Sequence, residues 1–295
     1  MNSARVSRFF SEVEKSGLFE SGTFVRVPPR LASEEELKRF HTERFLGEVK
    51  IRSLKPTGYL DGGDTPAFRG MFEAASYTVG STLAVLEKIV SADVTHGFNP
   101  MGGLHHSRRS SAAGFCIFND VGVAIETAKK KHGLAPILYV DIDAHHGDGV
   151  YYSFEDDPDV YIVDLHEDGR FLYPGTGQSW ETGKGVASGT KVNVELQPGC
   201  TDESFRSAFD GALEIAARAK PALVIFQCGA DSLGGDPLTH LNLTPASHEY
   251  AASRLVDVSH RFSEGRLLAL GGGGYSPENV ARAWLGVAST LGTHT

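Results

Sequence analysis

The run Leu138-Tyr-Val-Asp-Ile-Asp-Ala-His-His-Gly-Asp148 constrains this chain more than any other. It opens as an apolar strand buried on both faces, the signature of a parallel sheet. It closes with Asp141, Asp143, His145, His146 and Asp148 crowded into eight residues. In open α/β sheets, ligands bind beyond the carboxyl ends of the strands, where this cluster falls. An apolar run that ends in metal-binding and proton-carrying groups therefore predicts both a fold and a site.

The rest of the chain repeats the pattern. Short apolar runs at 92–95, 137–142, 160–165, 223–227 and 266–270 alternate with helical patterns at 119–132, 203–219, 246–262 and 277–291. A long amphipathic helix is expected over 66–90. Ser33-Glu-Glu-Glu36 reads as a capping box that opens a helix carrying Leu37, Phe40 and Phe45. This alternation predicts an α/β fold of three layers, a mainly parallel sheet with helices on both faces. No linker or repeat is visible, so 1–295 is expected to form a single domain. The glycines between Gly169 and Gly189 mark a long loop after the third run, and such loops are often functional.

A net charge of −9 argues against nucleic-acid binding, which calls for a basic stripe. No segment reaches the length of a membrane span. The three cysteines, Cys116, Cys200 and Cys228, include no C-x-x-C pair, and the polar N-terminus has no hydrophobic targeting core. Together these predict a reducing, cytoplasmic setting.

Every apolar run leads into polar chemistry. His96 and Gly102-Gly-Leu-His-His106 follow the first, Asp141, Asp143 and His145 the second, Asp164 and His166 the third. Cys228-Gly-Ala-Asp231 follows the fourth and Gly271-Gly-Gly-Gly-Tyr275 the fifth. Asp143 and His145 flank one residue, so an extended backbone would point both to one side. With Asp231 they would give three ligands and an open position, the pattern of a catalytic metal site. Zinc is the first expectation, with iron(II) and manganese also compatible with one imidazole and two carboxylates. His105 and His106 read as proton handlers, with Asp141 and Asp148 as partners that fix the tautomer and raise basicity. The glycine run lacks the spacing of a dinucleotide cradle. It instead allows close approach of backbone to substrate at Gly273 and sets Tyr275 to donate to an oxyanion.

These segments, in this order, resemble the histone deacetylase superfamily, which includes acetoin-utilisation-type and acetylpolyamine deacetylases. The resemblance rests on Gly102–His106, Gly114-Phe-Cys-Ile-Phe-Asn-Asp120, Tyr139–Gly149, Tyr173-Pro-Gly-Thr-Gly177, Gly229–Pro237 and Leu270–Tyr275, with Gly58–Pro66 as a further match. It implies an arginase-like fold with an eight-stranded, mainly parallel sheet, and zinc on Asp143, His145 and Asp231. It implies His106 as general base and then acid, paired with Asp148, and His105 as its electrostatic helper, paired with Asp141. Tyr275 would polarise the amide carbonyl. Phe115 and Tyr173 would line a tunnel for an acyl-lysine chain, Gly114 would give it room, and Asp64 would hold the substrate at the rim. A potassium ion would sit on Asp141, Asp164 and the backbone oxygens of Asp143, His145 and Leu165. A second would involve Phe154, Asp157 and Val160.

The sequence departs from that family in three places. A strand and His-Pro step usually precede the residues that match 1–5, so a central strand is expected to be missing or replaced. The usual C-terminal extension after the Tyr275 helix is absent from the sequence. Leu238 stands where the polyamine-specific branch carries a glutamate, which favours an acyl-lysine or neutral amide over a secondary ammonium. Two rival readings are a binuclear manganese ureohydrolase, which would need more carboxylates near Asp231, and an acyl-lysine reader with little turnover.

Overall fold

Four of the five apolar runs become strands within two residues of their expected ends, all of them parallel. The computed structural model describes residues 4–293. The outer ends of the domain expected over 1–295 lie outside the described residues. In chain order the elements are α1 (Ala4–Ser16), α2 (Glu34–Leu37), α3 (Glu43–Leu54), α4 (Met71–Val90), β1 (His96–Asn99), α5 (Asp120–His132), β2 (Ile137–Asp141) and α6 (Asp148–Phe154). Then come β3 (Val160–Glu167), β4 (Lys191–Leu196), α7 (Asp202–Leu213), α8 (Ile215–Ala219), β5 (Leu223–Gln227), α9 (Pro245–Phe262), β6 (Leu267–Leu270) and α10 (Pro277–Gly292).

The sheet order is β1-β6-β5-β2-β3-β4. Successive side chains of a strand face opposite ways, and here that alternation separates two cores. Leu138, Val140, Val224 and Phe226 pack with Phe9, Phe205, Leu255 and Trp284 from α1, α7, α9 and α10. Ile137, Tyr139, Leu223 and Ile225 pack with Leu37, Leu46, Leu83 and Ile125 from α2, α3, α4 and α5. Helices thus cover both faces, and the parallel strands deliver their carboxyl ends to one rim.

Several expectations change. Among the described residues the sheet has six strands, not eight. The first strand lies four residues later than predicted, because Ser91 caps α4 and Ala92 takes a left-handed turn at φ 58°. Among the described residues no break interrupts the centre of the sheet, and β1 is an edge that pairs with β6 alone. The capping box at Ser33 and Glu36 is present, but its helix stops at Leu37, and Phe45 belongs to α3. The pattern at 203–219 divides into α7 and α8 at Glu214. The long helix begins at Met71, not at residue 66.

The packing of two histidines sets a pH response. The Asn119 N–H donates to His41 Nε2 at 2.9 Å, which a protonated ring could not accept. His248 lies fully buried against the Gly229 carbonyl at 2.8 Å. Burial lowers His41 to about 3 and His248 to about 4. Above pH 6.5 both are neutral whether the chain is folded or not. As pH falls below 6.5, the unfolded chain takes up protons that the folded chain refuses, so stability declines toward pH 4. At pH 5 each is expected to remove on the order of 2 kcal/mol. Urea unfolding at pH 7 and pH 5 checks this, and an unchanged midpoint would contradict it.

Candidate active site

The strand ends bring the predicted groups together. Asp143, His145 and Asp231 place ligand atoms within 4.8 Å of one another, all buried. His145 Nδ1 lies 3.1 Å from Asp143 Oδ1 and 3.0 Å from Asp231 Oδ2. The backbone there is not extended as expected: β2 ends at Asp141, and a turn follows in which His145 N–H donates to Asp143 Oδ1 at 3.1 Å. The turn still sets both side chains on one centre.

Two buried carboxylates on one imidazole face are the donor set of a cation site. Four-coordinate zinc has bonds of about 2.0–2.2 Å, so its ligand atoms stand about 3.3–3.6 Å apart in a tetrahedron. The observed 3.0 and 3.1 Å spacings fit such an ion with a small outward adjustment. Burial raises Asp231, and the charge of Asp143 adds to it, for a value of about 6. Asp143 is also raised by burial, but His105, His145 and Gln227 more than reverse this and hold it well below the ordinary range.

Glycines create the space. A Cβ at Gly229 would stand 2.1 Å from Asp143 Oδ2, and one at Gly273 would stand 2.1 Å from Asp231 Oδ2. Gly273 N–H also donates to Asp143 Oδ2 at 2.8 Å. Gly273 therefore serves the carboxylates directly, where the sequence pointed to substrate approach. A Gly273→Ala variant is expected to bind metal at least 10-fold more weakly, the scale of disturbed outer partners. A zinc competition titration reads this out, and wild-type affinity would refute it.

Two histidine–aspartate pairs stand beside the centre. His105 Nδ1 meets Asp141 Oδ2 at 2.7 Å, and His106 Nδ1 meets Asp148 Oδ1 at 2.8 Å. The two Nε2 atoms lie 3.2 Å apart, so one proton serves both. Burial lowers His105, but Asp141 and Asp143 overcome it and push it up to about 10. Burial lowers His106 as well, the charge on His105 adds to that, and Asp148 opposes it incompletely, leaving about 4. His105 is thus the cation and His106 the neutral imidazole.

A cavity connects this cluster with Gly114, Cys116, Gly273 and Tyr275. A Cβ at Gly114 would strike the His106 ring at 2.4 Å. Phe115 is held at φ 66° and is partly exposed, with its ring 6.0 Å from that of Tyr275. Tyr173 packs edge-on to His106 at 5.2 Å. Its hydroxyl is pushed up to about 12 by burial first, then by Asp148 and, more weakly, by Asp64. Asp64 is exposed on a loop knotted by Asp61, whose Oδ1 accepts from the N–H groups of Gly63, Asp64 and Thr65. Thr65 Oγ1 in turn accepts from Phe115 N–H at 3.1 Å, which ties this loop to the Phe115 backbone. Leu238 is 44% exposed. Asp236 joins it to Tyr275 by accepting from both backbone N–H groups, at 3.0 and 2.8 Å. Cys116 is buried, which pushes its thiol up, and it packs as a small wall residue.

Sequence reasoning missed four supporting residues. Gln227 donates to Asp143 Oδ2 at 2.9 Å and accepts from Gly229 N–H at 2.7 Å. Arg108 donates to Asp148 Oδ2 at 3.0 Å. Tyr139 donates its hydroxyl to Asp141 Oδ2. Arg5 of α1 reaches the carbonyls of Gly272 and Gly274 at 2.8 and 3.2 Å. Its spacing with Phe9 and Val13 on the buried face of α1 is the signal that would have found it.

The expected potassium sites fare differently. Asp141 and Asp164 are register partners on adjacent strands, both fully buried. At the second site the residues do not fit: the Lys191 ammonium already sits on the carbonyls of Asp157 and Val160, at 3.0 and 2.6 Å.

The fold and the cluster define an α/β protein with a buried candidate metal centre flanked by two histidine–aspartate pairs. The chain belongs to the histone deacetylase family: the histone deacetylase domain matches residues 1–291. Acetoin utilization protein AcuC of Bacillus subtilis (strain 168) is 41% identical over 297 residues, covering 96% of this chain and 76% of that protein. Histone deacetylase 1 of Homo sapiens is 35% identical over 267 residues, covering 87% of this chain and 53% of that protein. Membership supports amide hydrolysis of the deacetylase type and a metal cofactor. Among the described residues, no helix is long and apolar enough to cross a membrane.

Proposed function

We propose that this chain hydrolyses the amide of an N-acetyl, or related N-acyl, group on a lysine-like amine. The observation that carries this is one cavity lined by His106, Tyr275, Asp143 and His145, with Asp231 completing the buried trio behind it. Asp143, His145 and Asp231 would hold zinc, which supplies a lowered water pKa and a polarised carbonyl when bound. His106 takes the proton of the attacking water, its Nδ1 steadied by Asp148. His105, charged against Asp141, holds the neighbouring ring neutral, and His106 Nε2 exchanges its 3.2 Å contact with His105 for the water proton. His106 then returns a proton to the leaving amine. Tyr275 donates its hydroxyl to the developing oxyanion.

Gly114, Phe115 and Tyr173 form the walls for the acyl chain, with Asp64 and Leu238 at its rim and Gly273 at its base. Leu238 offers no counter-charge to a second ammonium, which favours acylated lysine in a protein or peptide over an acylated polyamine. Asp141 and Asp164, with the backbone oxygens of Asp143, His145 and Leu165, would take one potassium ion. The chain acts as a single domain in the cytoplasm, where its three free cysteines stay reduced.

Acetate release from an acetyl-lysine peptide, with acetylspermidine in parallel, tests the reading. Release from the peptide alone supports both chemistry and substrate. Release mainly from the polyamine overturns the argument from Leu238. No release from either by zinc-loaded protein overturns the hydrolase.

A further inference from the structure

Lys191 opens β4, on the side of β3 away from β2, and its side chain is only 1% exposed. A buried ammonium is normally paired with a carboxylate, because an isolated charge is costly to bury. Lys191 instead meets three neutral oxygens: Asp157 O at 3.0 Å, Val160 O at 2.6 Å and Thr190 Oγ1 at 2.7 Å. The carboxylate of Asp157 faces Lys129, at 2.5 Å.

The hydrogen bonds fix the charge state. Both carbonyls can only accept. Thr190 has already committed its hydroxyl proton to Ala187 O at 2.6 Å, so its oxygen must accept from Lys191. Three acceptors require three N–H groups, which an ammonium has and a neutral amine lacks. Burial lowers its pKa to about 8, so the charged form holds at neutral pH. Converging backbone carbonyls and hydroxyl oxygens are also what strips and holds a potassium ion.

We propose that the Lys191 ammonium is a tethered monovalent cation, filling with the chain's own side chain an oxygen cage that would otherwise take dissolved potassium. The cage joins the turn after α6 to the first residue of β3 and to the residue before β4. Those elements carry Asp148 and Asp164 toward the candidate site, so the tether steadies them without depending on ionic conditions. Lys191 is a positioning residue in this scheme, and the inference does not rest on the hydrolase reading.

Two substitutions test it. Lys191→Ala empties the cage, whereas Lys191→Met removes the charge but leaves a stem that blocks it. Melting temperatures are compared in potassium chloride and in N-methylglucamine chloride at equal ionic strength, with the wild type correcting for any ion bound elsewhere. Potassium should raise the midpoint of Lys191→Ala by several degrees more than that of wild type or Lys191→Met, as an ion that binds only the folded chain must. Equal gains in all three proteins, or in both variants, overturn the proposal. If either variant fails to fold, lysine ¹⁵N spectra of the wild type decide. A slowly exchanging three-proton ammonium with cross-peaks to the Thr190 methyl supports the tether, and a two-proton amine or a fast-exchanging group there overturns it.

Discussion

Asp231→Ala is expected to emerge from metal loading without its ion and with hydrolysis reduced to background. Asp231 Oδ2 stands 3.0 Å from His145 Nδ1, so its removal leaves two of the three proposed ligands. Its Oδ1 also accepts from Ala144 N–H at 2.9 Å. Truncation strips a buried donor of its partner, at about 1–3 kcal/mol. Asp231→Asn separates the two effects, because it keeps an acceptor for Ala144 while losing the charge. Both variants should lack metal by elemental analysis after dialysis, and only the alanine should melt markedly earlier. A full zinc complement in either would refute the ligand assignment.

Tyr275→Phe is expected to lose about 10²–10³ in kcat, the scale for one oxyanion donor. Burial, then Asp231 and Asp143, raise its hydroxyl far above the ordinary tyrosine value, so it remains a proton donor at any working pH. Its ring still packs against Phe115 in the variant, and its backbone N–H still bonds to Asp236. Metal content and KM should therefore stay close to wild type while kcat falls. Wild-type turnover would remove Tyr275 from the chemistry.

The strands that carry this site were legible because they are buried on both faces and read as unbroken apolar runs. Strand β2 is the clearest case, with every residue from Ile137 to Asp141 buried. Strand β4 went unread because Lys191, Asn193 and Glu195 interrupt it. Its polar donors find partners distant in sequence, the Lys191 ammonium on Val160 O and the Asn193 amide N–H on Glu181 O. The same holds at the site. Asp143, His145 and Asp231 announce themselves by residue type and position at strand ends. Gln227 and Arg5 do not, since a glutamine ending an apolar run and an arginine in a surface-like helix acquire meaning only when the chain has closed. Gln227 reaches Gly103 O across 124 positions, and Arg5 reaches Gly272 O across 267.

The glycines pressed against the carboxylates carry a consequence for how such a protein can diversify. At Gly229 and Gly273 even one added methyl group would collide with a carboxylate oxygen of Asp143 or Asp231, and at Gly114 with His106. The interior of the pocket is thus closed to gradual variation, and any step there begins with lost function. Leu238, Phe115 and Tyr173 are partly open to solvent, and Asp64 stands on an exposed loop. Under the proposed reading these are the positions where a new amine or acyl group can be accommodated, so descendants of this chain should share one reaction while disagreeing about whom they perform it on.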